Sequence, residues 1–280
     1  MNMVHFTKMH GAGNDFVLVD DRDETFPERG NLIAAMAADH TGISCEGVIL
    51  LRRSKRADFR MSFYNPDGTE AELCGNGARC VAAFARRIGA VTSNSMTFET
   101  GAGLVDAEIV EDGLVKVWMP EPKRREYGMA VNGVDGCVAA VTGDFLVVGV
   151  PHFVVPVSNI AKVDVPKAGR ALRLSDAFSP NGTNVDFVQF IPPSKAIIRT
   201  YERGVEAESG ACGTGAVATA VAGVEAHGMS LPMHVRSSQG YDLVIEGDYR
   251  QSQGTGFTLT GPVSVVFEGD IDLDRLATEN

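Results

Sequence analysis

Ser209-Gly210-Ala211-Cys212-Gly213-Thr214-Gly215-Ala216 runs straight into Val217-Ala218-Thr219-Ala220-Val221-Ala222, a helix-forming segment rich in alanine. The same phrase stands earlier, where Leu73-Cys74-Gly75-Asn76-Gly77-Ala78 precedes Arg79-Cys80-Val81-Ala82-Ala83-Phe84-Ala85. A cysteine is therefore set twice at a helix entrance. First-turn amides lack partners inside the helix and carry the positive end of its dipole, so a thiol there ionises more readily. The glycines that follow keep Cβ bulk away and let an anionic group approach bare N–H groups. The helix from Cys74 is expected to end near Ile88, with Gly89 as its stop.

Working outward, the two halves replay each other. Asn14-Asp15-Phe16-Val17 aligns with Pro151-His152-Phe153-Val154, Tyr64-Asn65 with Tyr201-Glu202, Cys74 with Cys212, and Thr100-Gly101-Ala102-Gly103 with Ser237-Ser238-Gln239-Gly240, at offsets of 137 or 138. Matches held in register argue for one plan used twice. Val4–Met9, Phe16–Val19, Val48–Leu51, Phe59–Tyr64, Met96–Glu99, Leu104–Val110 and Leu114–Met119 read as strands separated mostly by short turns. Asn31 is expected to cap a short helix over Leu32–Asp39, and Pro120–Arg125 to form a polar crossing near a domain boundary. The expected fold is mixed α/β, largely antiparallel, in two pseudo-symmetric domains. Each is a strand-rich shell or barrel around a central helix, with the active site in the cleft between them. The expected bounds are 1–120, 121–262 and a terminal segment 263–280 that returns to the first half.

Composition narrows the classes. The 280 residues are 44% hydrophobic, enough for a substantial core. The N-terminus has no apolar run of signal-peptide type, and Gly149, Pro151, His152 and Pro156 interrupt the longest apolar stretch, so no membrane span is expected. Five cysteines in no scaffold spacing fit a reducing compartment, hence the cytoplasm. A net charge of −11 disfavours nucleic acid, and Arg52-Arg53-Ser54-Lys55-Arg56 reads as a solvated turn. No zinc spacing, His-Glu-x-x-His or phosphate-loop Lys occurs, so no metal is expected. Cys45, Cys80 and Cys137 read as small buried apolar residues.

If duplicated halves meet about an approximate two-fold, the two helix entrances converge and bring two thiols to one cleft. One thiolate would then remove a proton from a carbon while the opposite thiol returns one to the other face. A cysteine hydrolase would leave the second helix-entrance Cys unexplained. A thiol redox pair and a non-catalytic amino-acid binding protein remain as alternatives of other classes, separable by dithiol electron transfer and by absence of α-proton exchange.

Gly11-Ala12-Gly13-Asn14-Asp15-Phe16, Tyr64-Asn65-Pro66-Asp67-Gly68, Cys74 to Cys80, Gly149-Val150-Pro151-His152, Tyr201-Glu202-Arg203-Gly204, Ala211 to Ala216 and Leu259-Thr260-Gly261-Pro262 together resemble the diaminopimelate epimerase family over most of the chain. The resemblance implies a cofactor-independent isomerase that interconverts LL- and meso-2,6-diaminopimelate in lysine and peptidoglycan-precursor synthesis. It makes Cys74 and Cys212 the catalytic acid/bases, with His152 and Glu202 assisting deprotonation. It places Gly75, Asn76, Gly213 and Thr214 at the reacting carboxylate through their backbone, and Asn14, Asn65, Asn184 and Arg203 on the substrate. A homodimer is the candidate assembly, and a racemase of the same fold acting on another amino acid such as histidine is the nearest rival. Three stretches depart from the family pattern: Gly42-Ile43-Ser44-Cys45-Glu46-Gly47, Val150, and Ala207-Glu208-Ser209-Gly210.

Overall fold

Branched and aromatic residues favour extended chain. They fill β1 (Met3–Gly11) and β2 (Asn14–Asp20), which pair antiparallel about the turn at Ala12-Gly13. The structure is a computed structural model in which residues 3–27, 29–133, 140–250 and 254–278 are described; Cys137 lies outside them. The chain forms two compact units, Met1–Val117 with Gly261–Asn280, and Trp118–Thr260.

In the first unit, α1 (Gly30–Ala37) carries the chain from β2 to β3 (Val48–Arg52), which lies parallel to β2. Next, β4 (Phe59–Tyr64) turns back antiparallel, and the two-residue β5 (Glu70–Ala71) folds against it. A second crossover, α2 (Gly75–Arg87), leads to β6 (Ser95–Thr100), parallel to β4; β7 (Gly103–Glu111) and β8 (Leu114–Met119) follow as a meander. Parallel neighbours need such long connections, and the helices provide them.

The second unit repeats this order. After β9 (Lys123–Val131) and β10 (Val141–Val148) comes β11 (Val150–Pro156), then α3 (Val165–Arg173) crosses to β12 (Asn184–Ile191), parallel to β11. The antiparallel β13 (Lys195–Glu202) and the short β14 (Ala207–Ser209) precede α4 (Gly213–Ala226), which leads to β15 (Met233–Arg236), parallel to β13. β16 (Asp242–Arg250) pairs with the first part of β17 (Gly254–Asp272). The later part of β17, Val263 to Asp272, pairs with β1 instead, before α5 (Leu273–Thr278).

Each long helix is enclosed by its own unit's strands: α2 packs on β1, β2, β3, β4 and β7, and α4 on β10, β11, β12, β13, β15 and β16. This is why both are rich in Ala and Gly. A helix buried on most sides has no solvent stripe to spend on charge, and small side chains let the strands approach. The helix ends match expectation at α2, where Cys74 is the N-cap, Ile88 the C-cap and Gly89 takes φ +69°. They differ at α1, which starts at Gly30 with Arg29 as N-cap, leaving Asn31 inside the first turn. Close packing against the Asn65–Gly68 turn decides this start. A Cβ on Gly68, whose φ is +83°, would lie 2.0 Å from the Gly30 carbonyl oxygen. Gly68→Ala is therefore expected to destabilise the protein by about 3 kcal/mol or more, read as a lowered thermal midpoint. The crossing expected at Pro120–Arg125 is shorter than anticipated, because Lys123, Arg124 and Arg125 already belong to β9.

Cys45 and Cys80 are buried, as small apolar residues would be. Burial pushes the Cys45 thiol from 9.0 to about 11 and raises Cys80 as well. The folded chain thus keeps protons that the unfolded chain releases above pH 9, so these groups make stability fall as pH rises. From the Cys45 shift alone, Cys45→Ala should lessen the loss of stability between pH 9 and 11 by about 2–3 kcal/mol in denaturant titrations.

Candidate active site

The entrance of α2 is built from three adjacent segments of the first unit. Cys74 has extended backbone (φ −128°, ψ 123°), and its carbonyl accepts the first helical bond from Ala78 N at 2.8 Å. Its thiol, part-buried, donates to Asn14 Oδ1 at 3.7 Å, long even for sulfur. Asn14, at the start of β2, also accepts from Asn76 Nδ2 at 3.1 Å and donates to the Glu46 carboxylate. Asn76 Oδ1 in turn accepts from Arg79 Nη2 at 2.8 Å. Behind Asn14, Lys8 pairs with Asp15 at 2.8 Å. Burial raises the Glu46 carboxyl above its ordinary value, with the bond from Asn14 opposing it.

At the entrance of α4, Cys212 is also an extended N-cap (φ −114°, ψ 107°), and its carbonyl accepts from Ala216 N at 3.0 Å. Its Sγ lies 3.4 Å from Thr214 Oγ1. Thr214 Oγ1 is 3.0 Å from His152 Nε2, and His152 Nδ1 is 2.7 Å from Asp186 Oδ2. Thr200 Oγ1 donates to the other Asp186 oxygen at 2.7 Å. His152 and Asp186 are both fully buried. An ionised carboxylate only accepts, so Asp186 selects the tautomer with the proton on Nδ1, and Nε2 becomes the acceptor for the Thr214 hydroxyl. The hydroxyl oxygen is then left to accept from the Cys212 thiol. Burial, then the charges of Glu202 and Asp186, raise that thiol well above 9.0; the hydrogen bonds it shares with Thr214 and the Gly215 amide act against them.

The structure thus joins Asn14, Cys74, Gly75 and Asn76 in one cluster, and His152, Cys212, Gly213 and Thr214 in another. His152 reaches the thiol through Thr214 rather than directly. Asn184 is 96% buried and uses Oδ1 to accept from the Arg203 amide at 2.7 Å, which holds Arg203 at the end of β13. Asn65 stays in its own turn, bonded to Thr69 Oγ1 at 3.1 Å. Sequence reasoning passed over Asp186, Thr200, Glu46 and the role of Arg79. Asp186 carried a signal: a carboxylate between Val185 and Phe187 on a strand, two residues from Asn184 and so on the same face.

Among the described residues, no group of three or more His, Cys, Asp or Glu side chains could hold a metal ion, and no helix is long and apolar enough to cross a membrane. The arrangement offers two thiols at helix entrances, each bonded to a polar side chain, which is equipment for moving protons.

The family model described as diaminopimelate epimerase matches residues 6–124 and 145–266. A diaminopimelate epimerase of Aquifex aeolicus is 43% identical over 286 residues, covering 98% of this chain and 99% of that protein. One from Desulforudis audaxviator is 38% identical, covering 95% and 98%. Among solved structures, a hydroxyproline epimerase from Agrobacterium vitis superposes with TM-score 0.74 at 19% identity, over 97% of this chain and 93% of that one. A Bacillus anthracis phenazine biosynthesis protein of the PhzF family gives TM-score 0.73 at 17% identity, over 97% and 100%. These last two are likenesses of fold.

Proposed function

The chain belongs to the diaminopimelate epimerase family, and from that premise we propose a two-thiol isomerase in which Cys74 and Cys212 act on the α-carbon of LL- or meso-2,6-diaminopimelate. The observation that carries the reading is the repeated one: in each unit a cysteine caps a buried Gly-rich helix, with its sulfur within hydrogen-bonding reach of an Asn or Thr side chain.

The reaction needs a base on one face of the carbon and an acid on the other. One thiolate removes the α-proton and the other thiol donates its own, so the configuration inverts without a change in composition. The first-turn amides after Cys74 and Cys212 suit the substrate α-carboxylate, where negative charge grows as the proton leaves. The environments favour unlike starting states. Cys212, held protonated by burial and by Glu202 and Asp186, is the resting acid, and in the reverse direction its proton passes along Thr214 to His152. Arg203, with its guanidinium fork, is the candidate for the far carboxylate, and Asn14, Asn65 and Asn184 for the remaining polar groups.

Cys45, Cys74, Cys80 and Cys212 are all outside disulfides, which supports work in a reducing compartment such as the cytosol. Sedimentation of the wild-type chain tests the expected homodimer. The function itself is tested by incubating the protein in deuterated water with LL- and meso-diaminopimelate, histidine, lysine and glutamate, with no added cofactor. Deuterium is expected at the α-carbon of the diaminopimelate isomers alone. Exchange in histidine and none in diaminopimelate would transfer the protein to the rival racemase reading.

A further inference from the structure

Arg79 is the fifth residue of α2, and none of its side chain reaches solvent. Its contacts are the Gly75 carbonyl at 3.3 Å and Asn76 Oδ1 at 2.8 Å, while Nε is buried without a hydrogen-bond partner. No carboxylate pairs with it among the described residues: Asp15 is taken by Lys8, and Glu46 accepts from Asn14. This cation is unfavourable twice over, being buried without a counter-ion and placed toward the positive end of a helix dipole.

The fold does not require it. The fifth residue of the sister helix α4 is Val217, also fully buried, so an aliphatic side chain fills that place in the same architecture. The difference between the sisters lies in charge. At α4 the neighbours of the cysteine are the carboxylates Glu202 and Asp186; at α2 the polar chain leads from Cys74 through Asn14 and Asn76 to a guanidinium.

We propose that Arg79 is a buried counter-charge for the anion that forms at the entrance of α2, a positioning residue that favours the Cys74 thiolate and turns Asn76 so that its amide N–H points outward. The inference rests on the reading of Cys74 as an acid/base. Accepting from Arg79 commits Asn76 Oδ1 inward, which leaves Nδ2 facing Asn14, 3.1 Å away. Burial lowers the Arg79 value below the ordinary guanidinium range, to about 10, so the guanidinium stays charged at neutral pH, and negative charge on Cys80 or Cys74 acts to raise it. The missing anion is thus supplied in the working enzyme, by the thiolate and by the substrate carboxylate. The two entrances are set for opposite resting states, Cys74 toward thiolate and Cys212 toward thiol.

The test is the pH dependence of iodoacetamide alkylation, read separately at Cys74 and Cys212 by peptide mass spectrometry on the full chain. Arg79→Gln removes the charge and keeps a donor for Asn76, whereas Arg79→Lys keeps the charge and loses the fork. The expected result is a Cys74 midpoint raised by about one unit in Arg79→Gln, seen as roughly tenfold slower alkylation at pH 7, with Arg79→Lys near wild type and Cys212 unchanged in both. The thermal midpoint of Arg79→Gln should not fall, since a costly buried charge has gone. Should Arg79→Gln not fold, Arg79→Val, which copies the sister helix, takes its place. A wild-type Cys74 midpoint in a folded neutral variant, or equal shifts in Gln and Lys, would overturn the proposal. Failure of the underlying reading shows elsewhere, as interconversion of the LL and meso isomers surviving at the wild-type rate in Cys74→Ser.

Discussion

Cys74→Ser and Cys212→Ser are each expected to lower kcat for interconversion by three or more orders of magnitude while thermal melting stays close to wild type. Proton transfer by a positioned group contributes about 10²–10⁴ in rate, and a serine hydroxyl is far too weak an acid to replace a thiol that must ionise. Folding should survive because each residue is an N-cap whose side chain makes no capping bond, and serine is a good cap. The single variants should also differ in kind. Each keeps one thiol, so each can exchange the α-proton of only the isomer presented to that side. Cys80→Ser is the control. It changes a fully buried residue on α2, and should affect stability before turnover. Full activity in either helix-entrance variant would falsify the two-thiol mechanism.

Asp186→Asn is expected to reduce kcat by two to four orders of magnitude with little change in KM, although the residue is enclosed behind His152. An Asn beside Nδ1 can donate as well as accept, which permits the tautomer with the proton on Nε2. The Thr214 hydroxyl then faces a donor instead of an acceptor, and the relay to Cys212 breaks. Gly215→Ala should reach the same end by steric means, because its Cβ would lie 2.6 Å from Asp186 Oδ1. The pH–rate profile separates this from plain instability: the limb belonging to Cys212 should move, and a parallel loss at every pH would count against the relay.

Much of this was legible in the chain itself. The Cys-Gly-(Asn or Thr)-Gly-Ala phrase marked both helix entrances because its chemistry is local: a cap, small residues and an Ala run need no distant partner to be recognised. The offset between halves reappears as matching strand order, with parallel β2 and β3 answering β11 and β12, and β4 and β6 answering β13 and β15. Features that depend on a distant contact were hidden. Asn31 has the right composition for a cap, but the Gly30–Gly68 approach moved the helix start. Asp186 could be placed on the face of Asn184, yet its partner His152 lies on another strand, and only the parallel register of β11 and β12 joins them. Arg79 looked like one more basic residue in a motif, since burial of a guanidinium is decided by the strands that enclose α2.

The single strand β17 has a bearing on how the protein is made. Its later half lies along β1, from the pairing of Gly11 with Val263 to that of Met3 with Asp272. A ribosome that has synthesised the first 117 residues therefore holds a unit whose β1 edge is still open, and it stays open until Val263 to Asp272 have been added. Such an edge invites foreign strands. Premature termination even a few residues before Val263 should thus be felt at the N-terminus, as soluble yield lost to aggregation, although every residue of that early lobe up to Val117 would be present.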